Sequence, residues 1–164
     1  MTRLVLIGLL LVHAVAAQTK PATIFLVRHA ERAGGMAPDV PLSAIGEERA
    51  LLLARMLGEA GVTTIVTSEM KRTQQTATPL ATKLGLTPVI VKGSDIGNLV
   101  KAARQIPPGG KALFVRHSNE LAPLVEKLGG GPIPPLPDTE FDRLVILTLA
   151  KGKAVGVSTL RFGR

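Results

Sequence analysis

Thr23-Ile24-Phe25-Leu26-Val27-Arg28-His29-Ala30-Glu31-Arg32 is an apolar run that ends abruptly in charge, the pattern of a strand delivering polar side chains to a sheet edge. Lys111-Ala112-Leu113-Phe114-Val115-Arg116-His117-Ser118-Asn119-Glu120 repeats it. Each Arg-His pair follows a run ending in valine, and apart from His13 these are the only histidines in the chain. In a parallel α/β sheet, ligands bind outside the carboxyl ends of the strands, so two such endings bring both imidazoles to one crevice. Two histidines ringed by arginines point to phosphoryl chemistry.

Working outward, apolar runs of strand length alternate with amphipathic segments of helical period, which predicts an α/β domain. The first strand spans about residues 23–27, and a Gly- and Pro-containing loop over 33–41 follows beside the reactive edge. Ser43 is an N-cap, with Ile45, Leu52, Leu53, Met56 and Leu57 on one helix face as far as Gly61. A β-branched second strand covers 62–67, and Met70, Thr73, Ala77, Leu80 and Leu84 form the next stripe, kinked at Pro79. Arg72, in the first turn of that helix, stands on the same rim as His29. A short strand over 88–91 and a helix carrying Ile96, Leu99, Val100, Ala103 and Ile106 lead to the strand that bears His117. A helix from about 120 to 128, a Gly- and Pro-rich loop over 129–137 and two antiparallel edge strands over 141–150 and 154–159 complete the chain.

Residues 1–17 read as a signal peptide, with Arg3 as the positive region, an apolar core over 4–12 and small residues for cleavage near Ala16 or Ala17. The alternative is an uncleaved anchor. Either way His13 takes no catalytic role, and the destination is periplasmic or secreted. Residues 18–164 then make one domain, too short to add a separate substrate domain. With no cysteine there is no thiolate nucleophile or disulfide. The net charge of +8, reduced by one if Arg3 departs, attracts anions. The absence of Trp and Tyr and the dispersal of basic residues argue against nucleic acid as the partner. The expected partner is an anionic phosphorylated substrate, with no stable membrane insertion after signal cleavage. Nothing in the pattern sets an oligomeric state.

Four motifs in order, Arg28-His29-Ala30-Glu31, Leu42-Ser43-x-x-Gly46, Ser68-x-x-x-Arg72-x-x-x-Thr76-Ala77 and His117-Ser118-Asn119, resemble the histidine phosphatase superfamily, also called phosphoglycerate mutase-like. The chain is most similar to small members such as the bacterial phosphohistidine phosphatases. The resemblance implies a three-layer α/β/α sandwich whose mostly parallel sheet has an antiparallel edge. It also implies His29 as nucleophile, Arg28 and Arg72 as phosphate forks and His117 as a proton donor to the phosphoryl oxygens. No metal or other cofactor is implied, and a metal site on His29 and His117 lacks a third ligand.

Chemistry explains the company these residues keep. A neutral imidazole avoids part of the repulsion that a phosphate monoester offers an anionic nucleophile, and a phosphohistidine splits one hard step into two. Planar guanidinium forks match phosphate geometry. Arg32 and Glu31 are further pocket candidates, one to line it and the other to pair, and Asn119 either contacts phosphate or caps the following helix. Arg116 stands where many relatives have glycine, so it adds a phosphate contact or obstructs the pocket. No carboxylate occurs between Thr73 and Gly93, which leaves Asp95 as the first candidate general acid, in competition with a role as helix cap. Good leaving groups need less protonation. The expected activity is therefore hydrolysis of a phosphomonoester or phosphoamide, with mutase activity disfavoured. The alternatives are a phosphatase of envelope sugar or glycolipid phosphates and a non-catalytic phosphate-binding module.

Overall fold

The structure, a computed structural model, describes residues 20–163 apart from Met36; the signal-peptide reading of residues 1–17 lies outside the described residues. Each apolar run becomes a strand and each stripe a helix, in the order β1 (Ala22–Arg28), α1 (Ala44–Leu57), β2 (Thr64–Thr67), α2 (Lys71–Leu84), β3 (Val89–Ile90), α3 (Ile96–Arg104), β4 (Lys111–Arg116), α4 (Ser118–Lys127), β5 (Arg143–Ala150) and β6 (Lys153–Arg161). The strands form one sheet in the order β3-β2-β4-β1-β5-β6. The first four in that order are parallel, and β5 and β6 run antiparallel along the far edge.

Strand alternation divides the core in two. Ile24 and Leu26 of β1, with Ala112 and Phe114 of β4, face a cluster closed by Leu99 and Ala103 of α3 and Leu121 and Leu124 of α4. Val27, Leu113 and Val115 face the opposite cluster, closed by Leu53, Ala54 and Leu57 of α1 and Ala77 and Leu80 of α2. Helices therefore cover both faces of the sheet, and the three-layer α/β/α expectation holds.

α1 buries Leu53 and Leu57 as expected and packs Leu52 partly against the core, but its buried face is turned away from Ile45 and Met56. Ile45 is 63% exposed and Met56 41%, whereas Gly46, Ala50, Leu53, Ala54 and Leu57 are buried. Close approach decided this. A Cβ at Gly46 would stand 2.1 Å from the carbonyl oxygen of Glu31, so the helix lies against the reactive loop through its smallest residues rather than its largest. Ser43 does cap α1, its hydroxyl accepting from the Gly46 amide at 3.2 Å. Several boundaries also shift, two of them beside the catalytic end. The N-cap of α4 is His117 rather than Asn119, and β5 starts at Arg143, which leaves Phe141 in the preceding loop.

Candidate active site

β1 and β4 are neighbours with Arg28 opposite Arg116 in register, so His29 and His117 leave the sheet side by side. The His29 amide donates to the carbonyl of Arg116 at 2.8 Å, and the two imidazole centroids are 5.3 Å apart. His29 Nδ1 lies 2.8 Å from the carbonyl of Ala30. A carbonyl only accepts, so Nδ1 carries the proton and Nε2 keeps its lone pair. Thr76 of α2 anchors this turn by accepting from the Ala30 amide at 2.9 Å. Burial, reinforced by His117, Arg72 and Arg28, pushes the His29 pKa down to about 3. The ring is therefore neutral at any ordinary pH, the state a nucleophile needs.

His117 is held by the end of β2. Its Nε2 lies 3.0 Å from Ser68 Oγ, and Ser68 Oγ lies 2.9 Å from Thr73 Oγ1. Thr73 gives its single hydroxyl proton to the carbonyl of Met70 at 2.8 Å, so Ser68 is the donor between the two hydroxyls. The Ser68 oxygen then accepts from the Met70 amide at 3.2 Å and from His117. This places the proton of neutral His117 on Nε2 and leaves Nδ1 to take up a second one. Burial, with Arg72 and Arg116 nearby, lowers the His117 pKa, and Glu120 opposes the shift. The free pocket therefore disfavours the protonated form of His117.

A cavity of about 250 Å³ opens above the imidazoles, lined by Arg28, His29, Arg32, Pro38, Arg72, His117, Ser118 and Asn119. The Arg28 guanidinium is aimed by the 137–141 loop, donating to the carbonyls of Pro137, Asp138 and Glu140 and lying 4.2 Å from the ring centroid of Phe141. Arg72 donates to the carbonyl of Pro38 at 3.2 Å. That loop is pinned in turn by Asp39, whose carboxylate accepts from the Lys71 amide at 2.8 Å. The Nε atoms of Arg28 and Arg72 are buried without a protein partner, donors unused by the fold at two residues that line an anion-sized cavity. Among the described residues, no group of three or more His, Asp or Glu is placed to hold a metal ion.

Of the residues picked out in the sequence, the fold brings His29, His117, Arg28, Arg72, Arg32 and Asn119 to one cavity, and it removes three others. Arg116 is fully buried on the opposite face of β4, in line with Phe114 and Ala112. It donates to the carbonyls of Thr67, Val91 and Lys92 and to Glu120 Oε1 at 2.8 Å, so it neither binds phosphate nor obstructs the pocket. Glu31 is clamped by Arg49, with contacts of 2.6 to 3.0 Å, and does not line the cavity. Asp95 caps α3, accepting from the Asn98 amide at 3.0 Å and its side chain at 2.8 Å, and it borders a different cavity. We expect Asp95→Ala to lower the melting temperature while leaving kcat and KM for an activated phosphate ester unchanged, as thermal melts beside steady-state assays would show.

Three contributors were not assigned roles from sequence. Ser68 orients His117, and Phe141 lies under Arg28. The carboxylate of Glu69 accepts from the Gly93 amide at 2.7 Å and acts electrostatically on His117. Its pKa is lowered, first by that amide, so Glu69 is a fixed anion beside the pocket rather than a ready acid. The period-2 rule, carried one residue past β4, was the available signal that Arg116 and His117 point oppositely.

Residues 24–93 match the model of the Histidine phosphatase superfamily (branch 1), a segment that includes His29, Ser68 and Arg72 but not His117. A probable phosphoglycerate mutase, GpmB, of Yersinia enterocolitica is 42% identical over 69 residues, covering 38% of this chain and 32% of the relative. The match thus spans about a third of that protein's length. Among solved structures, the protein histidine phosphatase SixA complexed with tungstate superposes with a TM-score of 0.68 at 20% identity, covering 85% of this chain and 96% of that one. A mycobacterial glucosyl-3-phosphoglycerate phosphatase superposes with a TM-score of 0.61 at 15% identity, covering 87% and 99%. The resemblance to the superfamily therefore holds in sequence over residues 24–93 and in fold over most of the described chain.

Proposed function

We propose that this chain, which resembles the histidine phosphatases in sequence through its first catalytic motifs and shares their fold, is an exported phosphatase. It hydrolyses a phosphomonoester or phosphoamide through a phosphohistidine on His29, without a metal ion. The observation that carries the reading is the neutral, buried His29. Its Nδ1–H is fixed on the Ala30 carbonyl, and its Nε2 is free beside three arginines that line the cavity.

Nε2 attacks phosphorus in line while the bond to the leaving group breaks and its electron pair departs with that group. Positive charge grows on the imidazole, and the Ala30 carbonyl stabilises it through Nδ1–H. Arg28, Arg72 and Arg32 match the non-bridging oxygens. An arriving phosphate dianion offsets the field of Arg72 and raises the proton affinity of His117, so binding draws a proton to Nδ1 of that ring. Water then cleaves the phosphohistidine and releases inorganic phosphate. Among the described residues lining the cavity there is no carboxylate. This favours substrates whose leaving group departs without strong protonation, such as phosphohistidine, other phosphoamides or activated esters. It weighs against mutase chemistry on a sugar acid, whose alkoxide needs an acid.

The test is phosphate release from an activated aryl phosphate and from a phosphohistidine-containing peptide, with chelator present. Chelator-resistant turnover, faster on the phosphoamide, is the expected result. Absence of turnover by the folded protein on both would favour a binding module.

Stability should follow the same imidazole. The unfolded chain has a histidine near 6.5 and the folded protein holds His29 near 3, so on acidification the unfolded state takes the proton first. The stabilisation tied to neutral His29 is complete above about pH 6.5. It is lost toward about pH 3, at up to about 1.4 kcal/mol per pH unit. Urea unfolding should show a shallower acid loss for His29→Asn than for the wild type, and equal slopes would refute the depressed pKa.

A further inference from the structure

The positive charge of this protein is not centred on its catalytic cavity. Every lysine except Lys71 and Lys92 lies toward the other end of the sheet, where the parallel strands begin and the helices finish. Every Asp and Glu except Glu59 and Glu126 lies toward the catalytic end. The carboxylates there, such as Glu69, Asp138, Glu140 and Asp142, offset the arginines around the pocket. At the far end almost nothing offsets the lysines.

Part of this asymmetry has an ordinary cause. Cations in last helical turns suit the helix dipole, which accounts for Lys83, Lys101, Arg104 and Lys127. It does not account for Lys20 at the entry to β1, or for Lys151 and Lys153 in and after the β5–β6 turn. Lys151 has φ of 51°, a left-handed conformation for which Gly or Asn is the usual choice. Lys20, Arg104 and Lys151 line one cavity of about 150 Å³. Arg104 also reaches over to the carbonyl of Lys127 at 3.2 Å, which joins the helix and strand cations into one patch. Lys20, Lys101, Arg104, Lys127, Lys151 and Lys153 are all exposed.

We propose that this end of the domain is a peripheral docking surface for an anionic membrane. Residues 13–19 separate the apolar run over 4–12 from Lys20, so along the chain a membrane-directed segment lies close to the patch. Each basic residue near an anionic leaflet adds to the attraction for the surface, so the residues of a cluster this size act together. Single-stranded nucleic acid suits the patch less, because no aromatic side chain interleaves these cations. β1 is seven residues long, about 20 Å at strand rise, so a docked domain holds its cavity clear of the headgroups and facing water. Its substrate then arrives from the aqueous side, and a lipid phosphate in the same bilayer is out of reach.

The test is flotation of the full chain with phosphatidylcholine vesicles, with and without phosphatidylglycerol, at several salt concentrations. Binding to the anionic vesicles should be at least about tenfold tighter at low salt and should fall with added salt. The combined variant Lys101→Glu, Lys127→Glu, Lys151→Glu, Lys153→Glu should lose that difference, and Lys71→Glu with Lys92→Glu at the catalytic end should keep it. Equal binding to neutral and anionic vesicles would show capture by the apolar segment alone and overturn the proposal. So would equal losses in the two charge-reversed variants, or binding to duplex DNA as tight as to the anionic vesicles. Because the readout is binding, its failure is separable from failure of the catalytic reading.

Discussion

Replacing His29 with alanine is expected to abolish phosphate release, lowering kcat by about 10⁴-fold or more. The magnitude follows from what the pocket offers in its place. Arg28, Arg32 and Arg72 still bind phosphate, and His117 is still held by Ser68. None of them can accept the phosphoryl group, because the guanidinium nitrogens have no basic lone pair, the Nε2 of His117 is tied to Ser68, and its Nδ1 lone pair takes the proton that bound phosphate draws to the ring. Substrate affinity should therefore survive, so that an inert phosphate analogue binds the variant about as tightly as the wild type. Rapid quenching of the wild type with labelled substrate should trap protein-bound phosphate that is stable in base and labile in acid, and the variant should trap none. His29 is only 4% exposed, so the melting temperature must be checked to separate lost chemistry from lost packing. Undiminished turnover by a folded His29→Ala protein would refute the phosphohistidine mechanism.

The positions of His29 and His117 were legible because both lie at the end of an apolar run, and a parallel sheet needs only adjacent strands to bring such ends together. Arg72 was legible for the same reason, being in the first turn after β2, which pairs with β4. What could not be read was which way each side chain points beyond the last paired residue. Arg116 and His117 are neighbours in sequence and lie on opposite faces of the sheet, so one became scaffold and the other lines the pocket. Glu31 shows a second limit. Its partner, Arg49, lies on α1, and the approach of α1 was set by Gly46 rather than by the large apolar residues that a periodicity argument weighs most heavily. The arrangement around Arg28 was hidden for a third reason. Its carbonyl partners come from the loop after α4, and backbone acceptors leave no trace in side-chain identity. Asp95 was ambiguous in sequence, since a carboxylate before a helix serves equally as cap or acid, and only its two contacts with Asn98 decide.

Arg116 carries the other large effect, and it is one of stability rather than affinity. Its guanidinium is fully buried and joins β2, the 91–92 segment and α4 through three carbonyls and Glu120. Glu120, itself buried, also accepts from the amides of Ser94 and His117 at 3.1 Å. Removing the cation in Arg116→Met would leave the Glu120 carboxylate in the interior without its counter-charge. The expected loss is about 3–5 kcal/mol of unfolding free energy, a large share of the total for a domain of this size. Arg116→Met combined with Glu120→Leu should recover part of that loss, since the buried charge is then removed, although the carbonyls of Thr67, Val91 and Lys92 would lack a donor and the amides of Ser94 and His117 an acceptor. The contrary case gives a different signature. If Arg116 bound phosphate, the single variant would raise KM with little change in the urea midpoint, and the double variant would offer no rescue. Urea unfolding of the two variants, read beside KM for an activated ester, separates the two. The buried ion pair predicts that the midpoint falls and then partly recovers, while any change in KM follows the loosening of His117 at the start of α4.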